Sequence, residues 1–124
     1  MARRILIIED DTALSENLSK VIEKGGFESV VANDGDAGLK LAREKKPDLI
    51  LTDLVLPKRH GFQILEDLQS DRELKSIPVI VLTNLETSVD IEKASSLGVK
   101  AYLVKANYSL AEILGKVLEV LDEK

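Results

Sequence analysis

The sequence predicts a single α/β domain built on a doubly wound, five-stranded parallel sheet. Five short runs rich in apolar residues alternate with five longer stretches whose apolar residues recur at helical spacing. Three of the runs are apolar throughout rather than alternating, which is typical of strands covered by helices on both faces. The 124 residues suit one domain with one core, expected to span 1–124 without an output domain.

The predicted strands are short and apolar. They comprise residues 5–8, 27–32, 49–51, 78–82 and 101–104. The third strand is expected near the centre of the sheet, because it is apolar throughout and Pro57 soon forbids further strand. The second strand is expected at an edge, because Glu28 and Ser29 interrupt its apolar residues.

Each strand is followed by helical signals. Thr12 and Ser109 are expected to cap the first and last helices, Thr87 or Ser88 the fourth, and Gly61 opens the third. The residues expected to face the core are Leu14, Leu18, Val21, Ile22, Ala37, Leu41, Ala42, Phe62, Leu65, Leu68, Ile91, Ala94, Leu97, Leu110, Ile113, Leu114, Val117 and Leu121. The fourth helix presents few apolar side chains to the core and is therefore expected to be the least firmly packed element.

Right-handed crossovers place helices on both faces of such a sheet, and we predict the flavodoxin-like strand order 2-1-3-4-5. In that order the carboxyl ends of strands one, three, four and five lie side by side. The polar residues at these ends are Glu9, Asp10, Asp53, Thr83 and Lys105. We expect them to converge, because open α/β sheets bind ligands in a crevice beyond the carboxyl ends of their strands.

This set of side chains favours phosphoryl chemistry. Carboxylates gathered in one crevice raise one another's pKa unless a cation neutralises them, and Mg²⁺ binds one or two carboxylates together with phosphoryl oxygens. Lys105 would add a positive charge and Thr83 a hydroxyl, with Asp53 as a carboxylate nucleophile. Singly, each residue has an ordinary explanation as an acidic turn, a helix cap or a surface lysine. Their joint placement at adjacent strand ends favours the functional interpretation.

At these residues the sequence resembles the receiver domain of two-component response regulators, over essentially the whole chain. The motifs that carry the resemblance are Ile5-Leu6-Ile7-Ile8-Glu9-Asp10-Asp11, Thr52-Asp53-Leu54-Val55-Leu56-Pro57 with Gly61, Val79-Ile80-Val81-Leu82-Thr83 and Tyr102-Leu103-Val104-Lys105. The resemblance implies that Asp53 is the phosphoacceptor, supplied by a histidine kinase or a histidine phosphotransfer protein. It also implies that Glu9, Asp10, Asp53 and the backbone carbonyl of Val55 hold Mg²⁺.

The same resemblance implies how the signal is read. Thr83 and Lys105 would bind the phosphoryl group, and Thr83 with Tyr102 would form a switch pair. This pair would report phosphorylation to the face of the fourth helix, the fifth strand and the fifth helix, where a downstream protein partner binds. The implied activity is phosphoryl acceptance followed by slow self-hydrolysis, so the chain is not expected to be an enzyme acting on an external substrate.

Three positions depart from the usual pattern of that family. Ala106 replaces a common proline, which predicts a trans Lys105–Ala106 bond, because a non-prolyl cis bond costs about 2.5–4 kcal/mol. The loop is then expected to direct Lys105 less firmly towards Asp53. Asn84 replaces a small residue and would narrow access to Asp53. In the segment 58–60 basic residues stand where an acidic one is frequent, and His60, the only histidine, is expected to be exposed to solvent.

Composition excludes several classes of function. The absence of cysteine excludes disulfides and thiol chemistry, and the apolar run at 5–8 is too short for a signal peptide or a membrane span. A formal charge of −5 argues against direct nucleic-acid binding, which depends on neutralising phosphates. We therefore expect a cytoplasmic protein that passes its signal by protein contact or along a phosphorelay.

Other functions of an α/β domain fit less well. A phosphatase with an aspartyl-phosphate intermediate would resemble a motif with a second Asp two residues after the nucleophile, where this chain has Val55. An FMN carrier needs a neutral phosphate loop, and the acidic run at 9–11 would repel phosphate. The remaining alternative is a receiver-like binding module that works without phosphotransfer. Ala106 and Asn84 keep that alternative open.

Overall fold

Five strands and five α-helices alternate along the residues that the computed structural model describes, which are 2–58 and 62–122. The strands are β1 (Arg4–Ile8), β2 (Glu28–Ala32), β3 (Leu49–Thr52), β4 (Val79–Thr83) and β5 (Ala101–Val104). The α-helices are α1 (Thr12–Lys24), α2 (Gly35–Lys45), α3 (Gln63–Ser70), α4 (Ser88–Ser96) and α5 (Leu110–Leu121). A single 3₁₀ turn among these residues, Lys105–Asn107, connects β5 to α5.

All pairs of neighbouring strands in the sheet are parallel, and the strand order is β2-β1-β3-β4-β5. The predicted fold and strand order are therefore confirmed, with β2 at an edge. Ile8, the last residue of β1, lies beside Ala32 of β2 and Thr52 of β3. Thr83 of β4 lies beside Val104 of β5. The strands therefore end at a common edge, where the polar residues that follow them meet.

The core has two halves, one on each face of the sheet. Alternate residues of β1 divide between them, so that Ile5 and Ile7 pack with α1 and α5, whereas Leu6 and Ile8 pack with α2, α3 and α4. Every residue of β3 and β4 is buried. The uninterrupted apolar runs of the sequence thus reflect burial on both faces, as expected for a doubly wound sheet.

Two local predictions are wrong. The cap of α1 is Asp11 rather than Thr12, because the Asp11 side chain accepts a hydrogen bond from the N–H of Leu14 at 3.1 Å. Ile91 is 36% exposed instead of facing the core, which leaves Ala94 as the buried residue of α4. The caps of α4 and α5 are Thr87 and Ser109, as predicted. The expectation for Gly61 falls outside the described residues.

A pair of helical glycines tests how closely α2 packs on the sheet. A Cβ at Gly38 would lie 2.6 Å from Cδ1 of the fully buried Ile8. We expect Gly38→Ala to lower the free energy of unfolding by about 1–3 kcal/mol, because the core must shift to admit a methyl group.

Gly115 of α5 is the matched control. Apart from its chain neighbours and its own helix, no described atom lies within 4 Å of a Cβ placed there. Gly115→Ala should therefore raise the free energy of unfolding by about 0.5–1 kcal/mol through helix propensity. Urea denaturation measures both values, and effects of the same sign would contradict the packing argument for Gly38.

Candidate functional site

Three acidic side chains meet at the carboxyl ends of β1 and β3. Carboxylate oxygens of Glu9, Asp10 and Asp53 all lie within 4.8 Å of one another. The N–H of Asp53 continues the sheet ladder by donating to the carbonyl of Ile8 at 3.0 Å, which fixes Asp53 beside the end of β1. Glu9 and Asp53 are buried, being 2% and 5% exposed, whereas Asp10 is open to solvent. The predicted convergence of the three acids is thus confirmed.

The ammonium of Lys105 lies between the two buried acids. Its Nζ is 2.7 Å from Oδ2 of Asp53 and 2.8 Å from Oε1 of Glu9. No cis peptide bond occurs in the described residues, so the Lys105–Ala106 bond is trans, as predicted. The expectation that Ala106 would leave the ammonium poorly directed is wrong, because the 3₁₀ turn that begins at Lys105 still brings it to Asp53.

Backbone N–H groups satisfy the other oxygens of the two buried acids. Oδ1 of Asp53 accepts hydrogen bonds from the N–H groups of Leu54 at 2.6 Å and Val55 at 3.2 Å. Oε2 of Glu9 accepts one from the N–H of Asp11 at 3.0 Å. Each oxygen of these two carboxylates therefore has a donor, which is what allows the charges to be buried.

The charges of the site influence one another. Burial raises the pKa of Glu9, and the charge of Asp53 adds to this effect, while Lys105 and the N–H of Asp11 partly oppose it. Burial alone would lower the pKa of Lys105, but the hydrogen bonds and the negative charges of Asp53 and Glu9 together outweigh burial and raise it. The cluster thus holds three carboxylates, and the single ammonium of Lys105 contacts two of them. The site has an excess of negative charge and only oxygen donors, a combination that fits a hard divalent cation such as Mg²⁺.

Thr83 and Tyr102 share a contact in the loop between β4 and α4. Thr83 is fully buried at the end of β4, and its hydroxyl accepts a hydrogen bond from the N–H of Leu85 at 3.4 Å. The hydroxyl of Tyr102 donates to the carbonyl of Leu85 at 2.7 Å. Burial raises the pKa of Tyr102, with further contributions from Asp90 and Asp53. The backbone of Leu85 therefore links Thr83 to Tyr102, the two residues of the implied switch pair.

The structure places the remaining predicted residues as follows. The N–H of Val55 faces Asp53, while its side chain is 57% exposed. Asn84 is also exposed. His60 lies outside the described residues. Sequence patterns gave no signal for Leu54 or Asp11 as partners of the site, because these residues contribute backbone groups that every residue type carries. The sequence indicated Leu85 only through its side chain, whereas its contacts with Thr83 and Tyr102 are made by its backbone.

Comparison with known proteins agrees with this geometry. The profile of the response regulator receiver domain matches residues 5–117. The chain belongs to this family. Receiver domains are signalling switches rather than classical enzymes, and they interact with histidine kinases and with downstream partners. Among the described residues, no helix is both long enough and apolar enough to cross a membrane.

Individual receiver-domain proteins show the same likeness. The chain is 37% identical to protein PilH of Pseudomonas aeruginosa over 82% of this chain and 84% of PilH. It is 39% identical to the DNA-binding dual master transcriptional regulator RpaA of Synechocystis over 95% of this chain, but spans only 48% of that longer protein. The Mn²⁺-bound form of response regulator Rcp1 superimposes with a TM-score of 0.80 at 30% identity, covering 95% of this chain and 91% of Rcp1.

Removal of the bridging ammonium tests the electrostatics of this receiver domain. We expect Lys105→Met, measured with a chelator of divalent cations, to lower the free energy of unfolding by about 1–3 kcal/mol, because Glu9 and Asp53 would lose their counter-charge. The effect should fall below that of a fully buried pair, since the Lys105 side chain is 18% exposed.

The control is Lys116→Met, which removes a surface ion pair with Glu119 at 3.6 Å. This change should alter the free energy of unfolding by about 0.5 kcal/mol or less. Equal effects of the two variants in urea denaturation would mean that Lys105 does not hold the acids in place.

Proposed function

We propose that this receiver domain is a phosphorylation-dependent switch, and that Asp53 accepts a phosphoryl group from a histidine kinase or a histidine phosphotransfer protein. The observation that carries the proposal is the position of Asp53, buried between the Lys105 ammonium and two further carboxylates at the end of β3. In the transfer, an oxygen of Asp53 forms a bond to phosphorus while the bond from phosphorus to the donor histidine nitrogen breaks.

Mg²⁺ is the cofactor of this proposal. Glu9, Asp10, Asp53 and the backbone carbonyl of Val55 would hold it, and the cluster of carboxylate oxygens supports this assignment. The Mn²⁺-bound form of the relative Rcp1 supports a divalent cation as well. When bound, the ion supplies positive charge to the phosphoryl oxygens.

The residues around Asp53 have distinct roles in the proposal. Lys105 already contacts Oδ2 of Asp53 and would neutralise charge on the phosphoryl group. Thr83 would bind a phosphoryl oxygen through its hydroxyl. In the structure the Thr83 hydroxyl accepts a hydrogen bond from the N–H of Leu85, and the carbonyl of Leu85 accepts one from the Tyr102 hydroxyl. A movement of the Thr83 hydroxyl towards the phosphoryl group would therefore be passed to Tyr102 through the backbone of Leu85.

The signal would leave the domain at the face formed by α4, β5 and α5. Helix α4 has Ala94 as its buried residue, so a shift of this helix sacrifices little packing. A downstream protein partner is favoured over nucleic acid because the chain carries a net charge of −5. A cytoplasmic location is part of the same proposal, since the proposed phosphodonor, a histidine kinase or a histidine phosphotransfer protein, must reach Asp53 in the same compartment.

The alternative of a binding module without phosphotransfer rested on Ala106 and Asn84. Ala106 does not displace Lys105 from Asp53, which removes one of the two reasons for it. Asn84 is exposed, and no described contact places it across Asp53. Phosphotransfer is therefore the better-supported function.

Replacement of the acceptor tests the proposal directly. With Mg²⁺ and acetyl phosphate, the wild-type chain should gain the mass of a phosphoryl group, and its NMR signals around Thr83, Leu85 and Tyr102 should shift. Asp53→Asn preserves the shape of the side chain but removes the nucleophile, so it should show neither change. Asp71→Asn is the control, since Asp71 is an ion-paired aspartate outside the site. A phosphoryl gain by Asp53→Asn at the wild-type rate would disprove the assignment.

The lifetime of the phosphorylated state is a second expectation. Val55 and Leu85, two residues after Asp53 and Thr83, are expected to flank the path of the attacking water, and neither side chain can hydrogen-bond it. We therefore expect slow hydrolysis, and Val55→Asn with Leu85→Glu should accelerate it by up to about tenfold, or about 1.4 kcal/mol of barrier.

Phosphate loss after removal of the phosphodonor measures this rate. Val55→Asn alone should already contribute, because Val55 is 57% exposed whereas Leu85 packs partly against the core. Val89→Asn is the matched control, as Val89 is 71% exposed on α4 and outside the site. If the double variant hydrolyses no faster than wild type, orientation of water at these positions does not limit the reaction.

A further inference from the structure

The segment that follows Asp53 is attached to the turn between β2 and α2. The carbonyl of Pro57 accepts a hydrogen bond from the N–H of Gly35 at 3.1 Å, and Nζ of Lys58 lies 3.7 Å from Oδ2 of Asp34. Helix α2 packs on Ile8, the last residue of β1, through Gly38, so its N-terminal turn and the segment 56–58 that contacts it lie near the carboxyl end of β1. That end carries two of the three clustered carboxylates.

Asp34 uses its two carboxylate oxygens for different purposes. Oδ1 accepts a hydrogen bond from the N–H of Ala37 at 2.8 Å and so caps α2, while Oδ2 faces Lys58. The backbone of Lys58 has a φ of 69°, in the left-handed region that residues other than glycine rarely adopt. Such a conformation persists where surrounding contacts hold it, and the ion pair with Asp34 is a contact of this kind.

The last residue of β2, which precedes this turn, contacts the acidic cluster as well. The carbonyl of Ala32 accepts a hydrogen bond from the N–H of Glu9 at 2.9 Å. On the side of β3, the N–H of Val55 is fixed on Asp53, and Leu56 packs partly into the core. The peptide group that carries the Val55 carbonyl is therefore anchored before it by Asp53 and after it by the contacts of residues 57 and 58.

We propose that Asp34 is a positioning residue for the divalent-cation site, because its ion pair with Lys58 holds the segment 56–58 and thereby orients the Val55 carbonyl. This inference rests on the proposed function, since it takes that carbonyl as a ligand of Mg²⁺. The N-terminus of α2 and the cation site are then coupled. Loss of the ion pair weakens Mg²⁺ binding although neither side chain contacts the ion.

Two substitutions remove the ion pair from opposite ends. Asparagine caps helices as well as aspartate does, so Asp34→Asn retains the cap of α2 and removes only the charge. Lys58→Met removes the charge of the other partner. The unphosphorylated chain is titrated with Mg²⁺ alone, without a phosphodonor, and binding is followed by the NMR shifts of the backbone amides of Asp53, Leu54 and Val55.

We expect each substitution to weaken Mg²⁺ binding by about two- to fivefold, the range that corresponds to a surface ion pair. The double variant should bind no more weakly than either single variant, because both remove the same interaction. Lys58→Arg preserves the ion pair and should bind Mg²⁺ as wild type does. Thermal denaturation in the presence of a chelator should show that all variants remain folded.

The signs of the two effects separate positioning from a direct effect of charge. If the two charges instead acted directly on the ion through space, the two substitutions would have opposite effects. Asp34→Asn would weaken Mg²⁺ binding by removing an attracting negative charge, and Lys58→Met would strengthen it by removing a repelling positive charge. Effects of opposite sign, or no effect, would overturn the inference while leaving the proposed function intact. A wild-type chain that binds no Mg²⁺ would overturn both.

The chain contains a matched control at the other end of α2. Lys46 also has a left-handed backbone, with a φ of 45°, and its Nζ lies 3.8 Å from Glu73. Both side chains of this pair are largely exposed and take no part in the acidic cluster. Lys46→Met and Glu73→Gln should leave Mg²⁺ binding unchanged. Weakening equal to that of Asp34→Asn would mean that any such ion pair has this effect, and would overturn the inference.

Discussion

The ion pairs of Lys105 with Glu9 and Asp53 are the interaction on which the site depends, because two buried carboxylates so close together repel each other unless a cation lies between them. The strand order explains why a lysine serves this purpose. Lys105 follows β5, and β4 separates that strand from β3 and β1, so the side chain must reach past the end of β4.

The other contacts that hold the acids come from the backbone. N–H groups of Leu54, Val55 and Asp11 fix two carboxylate oxygens in position, Oδ1 of Asp53 and Oε2 of Glu9. These N–H groups belong to residues within three positions of the ends of β1 and β3, and the register of the parallel sheet places those two ends side by side. The strands therefore set the geometry of the site, and the loops supply its donors. Such an arrangement holds the Asp53 carboxylate in one orientation, as its proposed role as nucleophile requires.

The helices on the two sides of the site, α2 and α4, differ in how tightly they pack on the sheet. On one side, α2 packs closely on β1 through Gly38 and Ile8, and its capping residue Asp34 contacts the segment after Asp53. On the other side, α4 has Ala94 as its buried residue and is reached through Leu85. Under the proposed function, phosphorylation of Asp53 would therefore displace the weakly packed α4 more easily than the tightly packed α2. The difference in packing supports movement of α4 as the response.

The sequence by itself determined the five strands, because apolar runs between helical segments define the strands of a parallel sheet. The strand order and the convergence of Glu9, Asp10 and Asp53 followed once the common flavodoxin-like order was assumed. Only the tertiary structure decided the rest. Asp11 and Thr12 are both capping residue types, so the start of α1 depends on its packing. The exposure of Ile91 depends on how α4 rests on the sheet, which periodicity does not specify. The contacts of Leu85, and of Gly35 with Pro57, involve backbone groups common to all residues, so no pattern of side chains could reveal them.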